Sequence, residues 1–349
     1  MVINRYERIQ KYCIRNNSRF RNMRINYQFF KNFNRRDVLE LEHIGIKVDE
    51  GCDAFVVYED EEKFELVKKY FGEKWKDKVT VIDTDFTEKE RNTSAYLSIA
   101  TSKMLGYPQP EEWDEDEGEK EPAYPFNIYP YFENVFEVAN TSRDYGMLRG
   151  TQTGDFSLLG EPKWGKSNVG SIFWCGDALF STPDIYKKVF APLGIKSRTV
   201  LGYGNQKPLT TIVQLLPQGI SDSKLIFKPE QIGEPIFIPE WNITKYTLYY
   251  KGFFPSFEKH PGKYDFFVSQ EYFGSGGVNE KTVFISQKLY QLLKENNVKG
   301  LEYYPQESSS EKSIEENRQE NYDSENAIII RERRKRGKMI GGHILLDPY

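Results

Sequence analysis

A unit that runs from strand into helix and back to strand occurs twice in this chain, and that repetition constrains the fold more than any other feature. Residues 180–201 read FSTPDIYKKVFAPLGIKSRTVL and residues 284–304 read FISQKLYQLLKENNVKGLEYY. Each leaves an apolar strand end through a hydroxyl residue, Thr182 or Ser286, enters a helix, and returns through a polar turn to a second apolar run. A hydroxyl at that position can accept from the unpaired N–H groups of the first turn, and Pro183 suits the first helical residue because its ring presets φ. Aligning Thr182 with Ser286 places Ile185 over Leu289, Tyr186 over Tyr290 and Val189 over Leu293; after one gap, Ile195 falls over Val298. The pattern predicts an α+β fold. A mostly antiparallel sheet domain, residues 126–306, should carry the two helices on one face.

The rest of the chain is read around that frame. Residues 52–86 alternate strand, helix and strand. CDAFVVYE is followed by EEKFELVKKYFGEKW, with Phe64, Val67, Lys68 and Phe71 at helical spacing, and then by VTVIDTDF, which implies a small N-terminal α/β unit within residues 1–110. Thr87 and Glu90 have capping-box spacing, so a further helix is expected over 86–104, stopped by the prolines of GYPQPE. Residues 111–125 read as an acidic loop, 307–325 as a polar linker and 326–349 as a basic C-terminal strand and tail.

With 349 residues the chain can build a large core, and its 15% aromatic content offsets a hydrophobic fraction of only 38% because aromatic side chains bury so much area each. The net charge of −4 is unevenly spread. Residues 1–36 hold ten Lys/Arg against Glu7 alone, whereas residues 111–121 hold eight acids against Lys120. Cys13, Cys52 and Cys175 are odd in number and form no CxxC, which argues against a disulfide scaffold and a four-cysteine metal site. No apolar run approaches the length that spans a bilayer. A soluble, cytoplasmic protein without membrane contact is expected, with no cofactor and no metal.

Residues able to do chemistry are few. His43, His260 and His343 are the only histidines and none has metal-ligand or triad spacing. There is no phosphate-cradling GxxxxGK[ST] or GxGxxG motif. Asp83 and Asp85 alternate with Thr84 and so share a strand face, where paired acids can serve a metal or cap a helix. The glycines of EYFGSGGVN, Gly274 to Gly277, could form an anion nest or simply a turn. Trp164, between Lys163 and Lys166 in EPKWGKS, could anchor a partner or fold back on the core with its N–H on a backbone carbonyl. The basic, aromatic N-terminal segment and the cluster RERRKRGK at 331–338 are the material of nucleic-acid binding but belong to no recognisable module.

Several phrases, namely GYPQPE (106–111), GEPKWGKS (160–167), WCGDALFSTPDIYKKV (174–189), KGFFPSF (251–257), EYFGSGG (271–277) and ISQKLYQLLKENNVKGLEYYP (285–305), resemble an uncharacterised bacterial family with paired CXXC motifs (double-CXXCG type), similar to polymorphic-toxin immunity proteins. The resemblance spans about residues 86–305. In that family the cysteine pairs lie before EPKWG and before GFFP; here the matching stretches VANTSRDYG (138–146) and PEWNITKY (239–246) contain no cysteine. The resemblance implies a non-enzymatic protein that binds and occludes a cognate toxin. Glu111, Glu112, Asp114, Glu115, Asp116 and Glu117 would then complement a basic cleft, with Trp164 as an anchor. A nucleic-acid-associated protein using the two basic segments is the alternative.

Overall fold

The computed structural model describes residues 22–109, 134–142, 146–274 and 279–307. Helices are few and the sheets mostly antiparallel, the mixed α+β architecture that the sequence implies. In the N-terminal unit, β1 (Arg24–Phe33) lies between β2 (Gly51–Tyr58) and β3 (Val79–Asp85), antiparallel to both. Because side chains alternate along a strand, Tyr27, Phe29 and Phe33 of β1 share one face. They are buried with Phe55 and Val57 against α1 (Arg35–His43) and α2 (Glu62–Phe71), which contribute Leu41, Phe64 and Val67. Phe29 stacks on Phe55 at 5.1 Å and on Phe71 at 5.3 Å. Helix α1 starts on a reciprocal cap between Asn34 and Asp37. Burial alone would raise the Asp37 carboxyl, but hydrogen bonds from Tyr70, Lys31 and the Asn34 N–H bring it down to about 2.

Two helix expectations change. The helix expected through EEKFELVKKYFGEKW ends at Phe71, because Gly72 turns the backbone to φ 66 and a 3₁₀ segment (Gly72–Lys78) follows. The helix expected over 86–104 is only α3 (Glu88–Thr93), with its Thr87–Glu90 capping box intact. Residues that would have continued it form β4 (Tyr96–Thr101), where Leu97, Ser98 and Ile99 are all buried. A strand enclosed on both faces loses the polar alternation that marks a strand in sequence, so its apolar run imitates a helix face.

The two repeat units occupy two sheets rather than one. In the first, β8 (Val169–Ile172) and β9 (Cys175–Ser181) form a hairpin; helix α4 (residues 183–190) leads from β9 to β10 (Lys196–Arg198), and β12 (Val213–Leu216) lies between β9 and β10, antiparallel to both. In the second, β15 (Phe266–Phe273) and β16 (Glu280–Ser286) form the hairpin; α5 (Gln287–Glu295) leads to β17 (Leu301–Pro305), and the strand between is β4. The same topology is thus completed by a following strand in one copy and by a strand from nearly 200 residues upstream in the other. The likeness reaches single backbone bonds, the Thr182 N–H to Asn168 O at 3.0 Å and the Ser286 N–H to Asp265 O at 2.9 Å, but not the expected caps: the Ser286 hydroxyl accepts from the Leu289 N–H, whereas the Thr182 side chain makes no cap bond.

The one-residue gap in the repeat has a structural cause. Helix α4 starts as an α-turn (Pro183–Ile185) and continues as a π-turn (Tyr186–Phe190), which accommodates one more residue than the matching turn of α5. Both helices then close alike. Gly194 (φ 72) and Asn297 (φ 50) are left-handed, and the next residues, Ile195 and Val298, bond back to Phe190 O and Leu293 O. One shared core holds Ile185, Val189, Phe190, Leu179 and Leu215 of the first unit against Leu289, Tyr290, Leu293, Val283, Leu97 and Ile99 of the second. Each such side chain contributes about 1.5–3 kcal/mol on burial.

Outside the repeat, β13 (Ile236–Ile238) and β14 (Ile243–Tyr246) extend the second sheet beyond β15. The pair β5 (Phe136–Ser142) and β6 (Gly146–Gln152) forms a separate hairpin, and β7 (Ser157–Leu158) runs parallel to β11 (Leu201–Gly202). The N-terminal unit joins the sheets through Thr84, whose hydroxyl donates to Tyr250 O at 2.7 Å and accepts from the Gly252 N–H at 2.8 Å.

Candidate functional site

The first residues of the equivalent strands β9 and β16 lie side by side, and a charged cluster fills the junction. The Gly176 N–H donates to Glu280 Oε1 at 2.6 Å and the Lys281 N–H to Asp177 Oδ2 at 3.1 Å. Arg149, from β6, donates through Nη2 to both Asp177 oxygens at 2.7 Å, and through Nη1 to Cys175 Sγ at 3.3 Å. A Cβ at 176 would lie 2.7 Å from Glu280 Oε2, so any side chain there would push the Glu280 carboxylate aside.

Burial alone would lower the Arg149 pKa, but the adjacent Asp177 outweighs it and the group is raised, fixed as a cation. Burial also pushes the Cys175 thiol up, away from a reactive thiolate, with Arg149 only partly opposing this. Glu280 is raised by burial and then by Asp177. These groups hold the two hairpins together.

Directly above it, the β8–β9 turn carries Trp174 at φ 64 with 39% of the residue exposed. A tryptophan in the left-handed region costs about 1 kcal/mol or more. Beneath it Cys175 is locked by Arg149, and beside it Phe173 stacks on Tyr107 at 4.2 Å while its N–H bonds Gly106 O. Trp174 is thus carried on a strained turn that is fixed on both sides.

Of the residues singled out in the sequence, Trp164 is half-buried, packs against the core around Phe156 and Ile212, and donates its indole N–H to Thr211 O at 3.0 Å. Glu111, Glu112, Asp114, Glu115, Asp116 and Glu117 lie outside the described residues. Before them, Gln109 is buried and its N–H bonds Ser157 O. Of the glycine loop, Gly274 is described, at φ 128, and residues 275–278 are not. Asp83 and Asp85 do share a face but serve different partners: Asp85 accepts from Tyr58 Oη at 2.7 Å, while Asp83 faces Tyr304 and Glu302 of β17.

Tyr27, Phe29 and Phe33, aromatic residues of the basic N-terminal segment, are core residues. Residues 1–21 and the cluster at 331–338 lie outside the described residues. Sequence reading missed Arg149, Cys175, Asp177, Glu280 and Trp174. The available signals were a lone arginine inside the apolar strand GMLRG and acids at the first residues of two equivalent strands.

Among the described residues no group of three or more His, Cys, Asp or Glu side chains could hold a metal ion, and no helix is long and apolar enough to cross a membrane. Comparison of the chain with protein-family models, curated proteins and solved structures finds no match.

Proposed function

We propose that this chain is a cytoplasmic, non-enzymatic protein-binding protein of the immunity type, which neutralises a cognate toxin by covering it. The observation that carries the reading is the small cluster of Leu148, Ile238 and Trp241. It brings the β5–β6 hairpin together with the segment around β13 and β14, the two stretches where the resembling family carries its cysteine pairs. If the cysteine pairs of such relatives bind a metal, apolar packing beside the matching stretches would here do the holding that the metal does there. Among the described residues the buried Trp241 indole N–H finds no hydrogen-bond partner. A metal replaceable in this way is structural, which favours a scaffold that presents a surface.

Trp174 would supply the anchor on that surface. The acidic residues from Glu111 onward, joined to the fold beside β7, would supply attraction to a basic partner. The test is binding to the toxin encoded beside the gene. Affinity should fall at least tenfold between about 50 and about 300 mM salt. It should fall again when Glu111, Glu112, Asp114, Glu115, Asp116 and Glu117 are neutralised, and separately with Trp174→Ala. Affinity unchanged by all three perturbations would refute the assignment of this surface, and absence of toxin binding would refute the function.

A further inference from the structure

Among the described residues the N-terminal sheet has an open edge. Strand β2 is the outermost strand in the order β2-β1-β3, and its eight residues pair with β1 in unbroken register from Phe33↔Gly51 to Asn26↔Tyr58. Which backbone groups face outward follows from two bonds. The Glu59 N–H reaches Ile25 O of β1, whereas the Ala54 N–H is turned away from the ladder and taken by the neighbouring Asp53 carboxylate at 2.8 Å. Since antiparallel residues alternate between bonding one neighbour and the other, Cys52, Ala54 and Val56 present their N–H and C=O groups to the open side.

Exposed edges in natural sheets are usually blunted by lysine, proline or a bulge. Strand β2 has no Lys, Arg or Pro and no register shift. Its one charge, Asp53, is drawn in by the N–H groups of Asp49 and Ala54. An edge left in this form is a template for an added strand.

The flanking charge decides what can be added. Residues 47–63 carry seven acids against Lys47 and Lys63. Asp49 and Glu50 are exposed at one end of β2 and Glu62 at the other, where Asp60 and Glu61 are paired with Arg24 and Glu59 with Lys251. A second copy of the chain pairing antiparallel would set these two acidic ends against each other, and like charges facing across strands are destabilising. A basic strand would meet opposite charge at both ends.

We propose that the β2 edge is a docking site for an extended, basic segment of a partner protein, which adds a strand beside Cys52, Ala54 and Val56. This surface lies on the N-terminal sheet and is independent of the Trp174 turn. Ala54 is small and Val56 half-buried, so larger side chains on the incoming strand have room above the sheet. The Asp53 carboxylate would release the Ala54 N–H to a carbonyl of the new strand and turn to its basic residues.

The probe is a fluorescein-labelled decapeptide alternating valine and lysine, titrated into the full chain. Binding should weaken at least tenfold between about 50 and about 300 mM salt, and at least fivefold in the Asp49→Asn, Glu50→Gln, Glu62→Gln triple variant. The same peptide with glutamate for lysine should not bind. Hydrogen exchange at the Cys52 and Val56 amides should slow on binding. Val56→Pro deletes an outward N–H, which an edge strand tolerates, and should abolish binding; if that variant does not fold, the triple variant and the exchange measurement decide. No binding up to about 1 mM peptide, equal binding of the glutamate peptide, or unprotected Cys52 and Val56 amides in the complex would overturn the proposal. Full affinity in a folded Val56→Pro variant would do so too.

Discussion

Asp83 should make the fold less stable as pH rises toward neutrality, and Asp83→Asn should remove that dependence. Burial pushes its carboxyl up from 3.8 to about 7, and the neighbouring carboxyls of Glu302 and Asp85 add to the rise, while bonds from the Thr84 N–H and Tyr304 only partly oppose it. The Tyr304 hydroxyl also donates to Glu302 at 3.2 Å, so its single proton cannot serve both acids at once. Between about pH 4 and pH 7 the folded chain therefore keeps a proton on Asp83 that the unfolded chain has released. Stability falls with rising pH across that window, and the loss is complete above about pH 7.

A rise of this size corresponds to about 4 kcal/mol, and the solvent contact that Asp83 retains brings the expectation to about 2–4 kcal/mol. Asparagine keeps an oxygen to accept from the Thr84 N–H but never ionises. Urea denaturation should find Asp83→Asn more stable than the parent by about 2–4 kcal/mol at pH 8 and within about 0.5 kcal/mol of it at pH 4. Glu280 titrates in the same window, but it is common to both proteins and cancels in the difference. Equal shifts at pH 4 and pH 8, or a variant less stable at pH 8, would show that Asp83 is not held neutral by the fold.

Three further perturbations test the architecture. Arg149→Met leaves Asp177 and Glu280 facing each other without their cation and should cost about 3–5 kcal/mol in chemical denaturation; adding Asp177→Asn and Glu280→Gln should recover much of that loss, and no recovery would mean that Arg149 acts through packing alone. Deleting Lys187, exposed within the π-turn of α4, should convert that turn to the α-turn found in α5 and change stability by about 1 kcal/mol or less; failure of the deletion variant to fold would contradict the equivalence of the two units. Ser286→Ala removes the α5 cap, in which the hydroxyl accepts from the Leu289 N–H at 3.1 Å, and should lower stability by about 1 kcal/mol in thermal melts, with no change indicating that water caps the helix as well.

Local signals were legible where the determining interactions are local. The Thr87–Glu90 and Ser286 caps join residues three apart, and the amphipathic faces of α2 and α5 follow from helical spacing, so both could be read directly. The repeat was visible for the same reason, down to the single gap. Where the determining partner is distant, sequence reading failed. β4 reads as helix in the sequence because its pairing partners, β16 and β17, lie some 200 residues away. Arg149, Asp177 and Glu280 are unremarkable charges until the sheet starts converge, and Trp174 is notable only for a backbone angle that no spacing predicts.

The amino-acid sequence by itself therefore determined that two strand–helix–strand units exist, where their helices begin, and that one holds an extra residue. Only the tertiary structure decided how those units are completed: that the first borrows a following strand and the second a preceding one, that the extra residue is absorbed as a π-turn, and that the two hairpins meet over a buried charged cluster. Helix starts depend on bonds to adjacent residues. Strand neighbours and buried ion pairs depend on segments far apart in the chain, and the pattern along any one segment carries no record of which distant segment will close against it.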